Sequence, residues 1–110
     1  MLIGGGNLFR VEGNTFRDCK IGVHIDARGK SWKRWTEDPE WFARAIGPFL
    51  GEVWQEAYPD VERTLRDDPA APWNNAIVGN VFERNGRNFL FDAGTMSVTN
   101  RMQIAGNIFK

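Results

Sequence analysis

One cysteine, one histidine, one tyrosine and no excess of charge of either sign set the first limits on this 110-residue chain. Cys19 has no second cysteine and no neighbouring histidine, so it forms neither an internal disulfide nor a metal-type pair. It reads as a small buried apolar residue. Fourteen basic residues against fourteen acidic ones leave no overall field to draw nucleic acid or an anionic membrane, and neither is expected as a partner. No apolar run is long enough to span a bilayer, and the start "MLIGGGNLF" lacks both the basic and the apolar region of a signal peptide. As encoded, the chain is expected to be soluble and cytoplasmic. There is no GxSxG elbow, no P-loop and no zinc-ligand pattern, so the commonest nucleophile, nucleotide and zinc chemistries have no motif here. The length allows one domain with a thin core.

What the chain does have is repetition. The stretch "GNTFRDCKIGVHIDARG" at 13–29 returns as "GNVFERNGRNFLFDAGT" at 79–95, and "GNIFK" closes the chain at 106–110. Aligning Phe16 with Phe82 places Val11 over Ile77, Asn14 over Asn80, Val23 over Phe89, Ile25 over Phe91 and Asp26 over Asp92; Ile104, Asn107 and Phe109 continue the register. The last step, Gly79 to Gly106, is 27 residues, the scale of a structural repeat unit. Within each copy, short segments alternate apolar and polar with Gly and Asn between them, which is strand-and-turn patterning. Val23 and Ile25 are expected to point inward, His24 and Asp26 outward. Three strands per copy, each stacked on its counterpart at ~4.8 Å, predict a parallel solenoid. Asn14, Asn80 and Asn107 would then line up as a ladder of amides.

The phrases "GNTF" with "GVHIDARG" and "GNVF" with "FLFDAG" resemble the right-handed parallel β-helix repeat proteins, the pectin-lyase-like superfamily. "VHIDARGKSW", followed by a Trp-rich insertion ending "YPDVERTLRDDPAAPWNNAIVGNVF", is similar more narrowly to bacterial β-helix proteins regarded as polysaccharide-acting enzymes. The resemblance covers nearly the whole chain but only a slice of the family's usual domain. It implies a right-handed β-helix of about three coils, mostly β with an α-helical insertion, and carbohydrate as the substrate class. For full-length relatives the resemblance is compatible with secretion.

Gly13 to Gly79 is 66 residues, far more than one repeat needs, and the surplus falls at about 31–72 within the single domain 1–110. Asp38 before Pro39 reads as a helix cap, with Trp41, Phe42, Ala45 and Ile46 on one face before Gly47 stops the helix. Phe49, Leu50, Val53, Trp54 and Ala57 continue at helical spacing from Pro48, and Pro59 opens a third segment carrying Val61 and Leu65. Of five tryptophans, Trp41 and Trp54 fit helix packing. Trp32 and Trp35 lack a helical period, so sugar-binding platforms are an equal reading for them.

The candidate chemistry sits at the ends of two aligned strands. Stacked Asp26 and Asp92 would repel, raising the pKa of one while the other stays ionised, which suits acid–base or nucleophilic work beside His24. The predicted catalytic set is therefore Asp26, Asp92 and His24, with Arg28, Trp32 and Trp35 binding substrate, a polysaccharide or oligosaccharide. The opposing reading is a pair of turn aspartates that accept backbone hydrogen bonds and stack because the phrase repeats, with Arg28 neutralising them. Two carboxylates fall short of a calcium shell, so no metal and no cofactor are expected. The alternative function is a non-catalytic structural unit. Met102, Ile104, Ile108 and Phe109 lie in a last repeat with no successor, which predicts a homo-oligomer, most simply a dimer, joined through that repeat or the insertion.

Overall fold

The computed structural model describes residues 1–31, 37–68, 70–92 and 99–110. Nine short strands are present among them: β1 (Leu2–Ile3), β2 (Arg10–Glu12), β3 (Thr15–Arg17), β4 (Ile21–Ile25), β5 (Ala76–Val78), β6 (Val81–Glu83), β7 (Arg87–Phe91), β8 (Gln103–Ala105) and β9 (Ile108–Phe109). They form three parallel sheets ordered β1-β4-β7, β2-β5-β8 and β3-β6-β9, so each strand pairs with the one three places along the chain. Among the described residues no sheet closes on itself. The chain is mostly β with some helix.

The register is the one the repeat predicts. Val11 pairs with Ile77 and Ile77 with Ile104; Phe16 pairs with Phe82 and Phe82 with Phe109; Val23 and Ile25 pair with Phe89 and Phe91. Apolar side chains therefore meet apolar side chains one strand spacing apart, and in the Phe16–Phe82–Phe109 column they are identical. The rings of Phe16 and Phe82 stack with centroids 5.0 Å apart, Phe82 and Phe109 at 5.4 Å. Ile3, Val11, Val23, Ile25, Ile77 and Phe82 make the buried core, with Phe16, Phe89, Phe91 and Met102 packed against it. The alternation thus holds, with Val23 and Ile25 inside. Cys19 is half-buried instead of buried: its N–H donates to Asn85 Oδ1 at 2.9 Å and its thiol faces the Arg17 carbonyl.

The amide ladder forms with a definite direction. Asn80 Oδ1 accepts from the main-chain N–H and the side-chain amide of Asn14, at 2.9 and 3.1 Å, and Asn107 Oδ1 accepts likewise from Asn80 at 2.9 and 3.1 Å. The preceding glycines, Gly13, Gly79 and Gly106, all have φ between 63° and 68°, the left-handed region that a Cβ disfavours. At Gly79 a Cβ would meet nothing within 4 Å, so the backbone angle alone restricts the position. Gly79→Ala should therefore cost about 1 to 2 kcal/mol, and Gly79→Asn less, in chemical denaturation. Equal cost for the two would show that φ is not what restricts it.

Between β4 and β5 lie α1 (Pro39–Ile46), α2 (Glu52–Ala57) and α3 (Asp60–Asp67), with 3₁₀ turns at Arg28–Ser31 and Gly47–Leu50. Asp38 caps α1 as predicted, its side chain accepting from the Trp41 N–H at 2.8 Å. Gly47 does not stop the chain's winding: it keeps a right-handed helical angle and passes into the 3₁₀ turn, and the break comes at extended Gly51. Trp54 packs edge-on against Phe49 at 5.0 Å and stacks on Tyr58 at 5.5 Å, while all three remain partly exposed. Polar contacts tie the segment's return to the sheets: Asn7 donates to the Ala71 carbonyl at 3.0 Å, and Lys30 bonds Asp68 at 2.5 Å.

Candidate functional site

The parallel pairing of β4 with β7 sets His24 beside Leu90 and carries Asp26 and Asp92 to the same end of the sheet. Asp92 donates its main-chain N–H to the Ile25 carbonyl at 3.2 Å, and Asp26 donates its own to Ile3 at 3.0 Å, so both extend the ladder by one residue. The predicted trio does converge. His24 Nε2 lies 2.8 Å from Asp92 Oδ2 and 3.9 Å from Asp26 Oδ2. A carboxylate accepts from Nε2–H in this pair, which leaves Nδ1 as the acceptor nitrogen of the neutral ring.

The two aspartates differ in environment. Asp26 is buried, although its place in the alternation predicts an outward side chain. Arg28 covers it: its Nε bonds both carboxylate oxygens, at 2.9 and 2.8 Å, its terminal nitrogen reaches Oδ2, and its main-chain N–H donates to Oδ1 at 3.1 Å. Gly4 makes room for this arginine, since a Cβ there would stand 2.7 Å from Arg28 Cδ. The guanidinium hydrogen bonds hold Asp26 below the usual carboxylate range; burial opposes them, and the Arg28 N–H and His24 add to the lowering. Like-charge repulsion, expected to raise one of the two acids, does not govern Asp26. Asp92, by contrast, has about half its side chain exposed.

A pH dependence follows for stability. Asp26 has its pKa lowered on folding, so its contribution is fully present above the ordinary Asp value of about 3.9 and is lost as pH falls through the lower folded value. The stability gap between the wild type and Asp26→Asn should be constant from neutral pH down to about pH 5 and shrink in more acid solution. A gap that widens on acidification would contradict the Arg28 clamp.

One ligand atom each from His24, Asp26 and Asp92 lies within 4.8 Å of the others. That nitrogen-and-oxygen set suits a divalent transition ion in kind. A cation would first have to displace Arg28 from Asp26, and three donors remain short of a calcium shell of about six to eight oxygens. Trp32 and Trp35, the predicted sugar platforms, lie outside the described residues. A different aromatic contact appears elsewhere: the Arg101 guanidinium sits 3.7 Å over the ring of Trp73, whose indole nitrogen is buried with no hydrogen-bond partner among the described residues. Trp73 stands out in the sequence by type, but nothing there signals Arg101, because the two meet only when the third repeat packs on the second. Among the described residues no helix is long and apolar enough to cross a membrane. Compared with known proteins, the chain matches no family model, no curated protein and no solved structure.

Proposed function

We propose that the three sheets are the faces of a short right-handed parallel β-helix of about three coils, of the pectin-lyase-like kind, and that the chain binds or cleaves polysaccharide on its β4–β7 face. The pairing of every strand with the one three places on, and the general right-handed bias of parallel crossovers, support the fold reading. The observation that carries the functional reading is the convergence of His24, Asp26 and Asp92 within 4.8 Å, with Arg28 beside them. In this reading Asp92 orients His24 through Nε2, and Nδ1 exchanges a proton with a sugar hydroxyl or glycosidic oxygen. Asp26 and Arg28 supply fixed charge. Asp26 is too enclosed by the guanidinium to act as a nucleophile without Arg28 moving away.

The same enclosure favours a second reading. A buried aspartate clamped by an arginine two residues on is also how a strand end is fastened, and a non-catalytic structural unit needs nothing more. A glycan-array and hydrolysis screen of the wild type, His24→Ala, Asp26→Asn and Asp92→Asn separates the two. The carbohydrate reading expects binding or turnover that falls at least ~10-fold in His24→Ala and Asp92→Asn while both variants keep the wild-type CD spectrum. No binding and no turnover by the wild type would leave the structural reading alone.

A further inference from the structure

His24 is the only histidine of the chain, and two carboxylates stand against the same nitrogen of its ring. Nε2 lies 2.8 Å from Asp92 Oδ2 and 3.9 Å from Asp26 Oδ2, and one donor atom of each residue is within 4.8 Å of the others. An ion ~2.0 to 2.2 Å from its ligands holds them roughly 3 to 4 Å apart, so side-chain rotation is enough to close this set around one centre. The main chain beneath it is fixed. His24 lies within β4, and the N–H groups of Asp26 and Asp92 bond across to Ile3 and Ile25. Asp26 is 6% exposed, whereas the side chains of His24 and Asp92 are 24% and 49% exposed, which gives the set a closed side and a side open to solvent. Carboxylates alone suit Ca²⁺ or Mg²⁺; an imidazole among them moves the preference to a divalent transition ion.

We propose that His24, Asp26 and Asp92 bind one divalent transition-metal ion, and that the Arg28 guanidinium competes with the ion for Asp26. Charge supports the exchange. Two carboxylates and one guanidinium beside a neutral imidazole leave a single negative charge, and a divalent ion in place of the guanidinium leaves none. Arg28 is able to give way, because its side chain is about half exposed and swings into water. Its main-chain N–H stays behind on Asp26 Oδ1 at 3.1 Å and keeps that carboxylate oriented, as the outer contacts of a metal ligand do. With an ion on Nε2, the ring proton sits on Nδ1. The inference therefore stands apart from the carbohydrate reading, which uses the ion-free histidine, and it needs no glycan.

Titration calorimetry of the tag-free chain at neutral pH should show one Zn²⁺ bound per chain, and Ca²⁺ bound more weakly. His24→Ala and Asp92→Asn should each raise the Zn²⁺ dissociation constant at least ~10-fold. Arg28→Gln removes the competitor, so it should lower that constant at least ~10-fold, the reverse of what loss of a supporting residue does. Should Arg28→Gln fail to fold, Arg28→Lys decides the point, because it keeps the charge but loses the bidentate fork, and it should also bind Zn²⁺ more tightly than the wild type. Cys19→Ser should change nothing, since the thiol faces the Arg17 carbonyl and lies outside the set. The proposal is overturned by a wild type that binds no Zn²⁺ or prefers Ca²⁺, by full affinity in His24→Ala, by loss of binding in Cys19→Ser, or by Arg28 variants that bind no more tightly than the wild type.

Discussion

Replacing Phe82 with alanine is expected to cost about 3 to 5 kcal/mol, a large part of the stability of a domain this size. Phe82 is fully buried and stands at the crossing of two sheets. It stacks between Phe16 and Phe109 along its own column and packs at 4.8 Å against Phe89 of β7. Removing the ring opens a cavity that those neighbours cannot fill, because each is held in place by its own strand register. Phe16→Ala and Phe109→Ala, at the ends of the same column and partly exposed, should cost less. Urea denaturation of the three variants gives the comparison. Equal losses for all three would mean that the column does not act as a stack centred on Phe82.

The second large effect is expected at Asn80, whose side chain is buried and fully engaged. Its Oδ1 accepts from Asn14, and its amide donates to the carbonyls of Val11 and Val78 at 2.9 and 3.1 Å and to Asn107 Oδ1 at 3.1 Å. Asn80→Ala leaves these groups without partners where water has little access, at roughly 1 to 3 kcal/mol for each one that stays unsatisfied. Asn80→Asp should be no better, since a carboxylate keeps the acceptor but sets negative charge against two carbonyl oxygens. Asn14→Ala, at the exposed first rung, should change stability by less than about 1 kcal/mol. Thermal unfolding of this series tests the ladder; an Asn80→Ala variant as stable as Asn14→Ala would show that its hydrogen bonds contribute nothing.

The site was only partly legible in the sequence. His24, Asp26 and Asp92 were recoverable because the repeat aligns Asp26 with Asp92, and strand alternation puts His24 on the same side as Asp26. The burial of Asp26 was not recoverable. Alternation reports the direction in which a side chain leaves the strand, not what folds over it, and the cover comes from Arg28 turning back along the 3₁₀ segment into space that Gly4 leaves open. The pKa of Asp26 went with its burial: an expected repulsion between acids gave way to an arginine clamp. The helical segment shows a smaller case. A hydrophobic period from Phe49 to Ala57 reads as one helix, yet it is divided at Gly51, whose extended backbone ends the 3₁₀ turn and starts α2.

What the sequence by itself determined is the register. Parallel strands of a repeat stack like on like, so once Phe16 aligns with Phe82, the positions of Val11, Asn14, Val23, Ile25 and Asp26 against the next copy all follow from counting. What only the tertiary structure decided is exposure. Val11 and Ile104 hold the same repeat position, and so do Asp26 and Asp92, but in each pair one member is buried and the other is open to solvent. Burial is set by whatever chain passes over a residue, and repetition of a phrase does not report that.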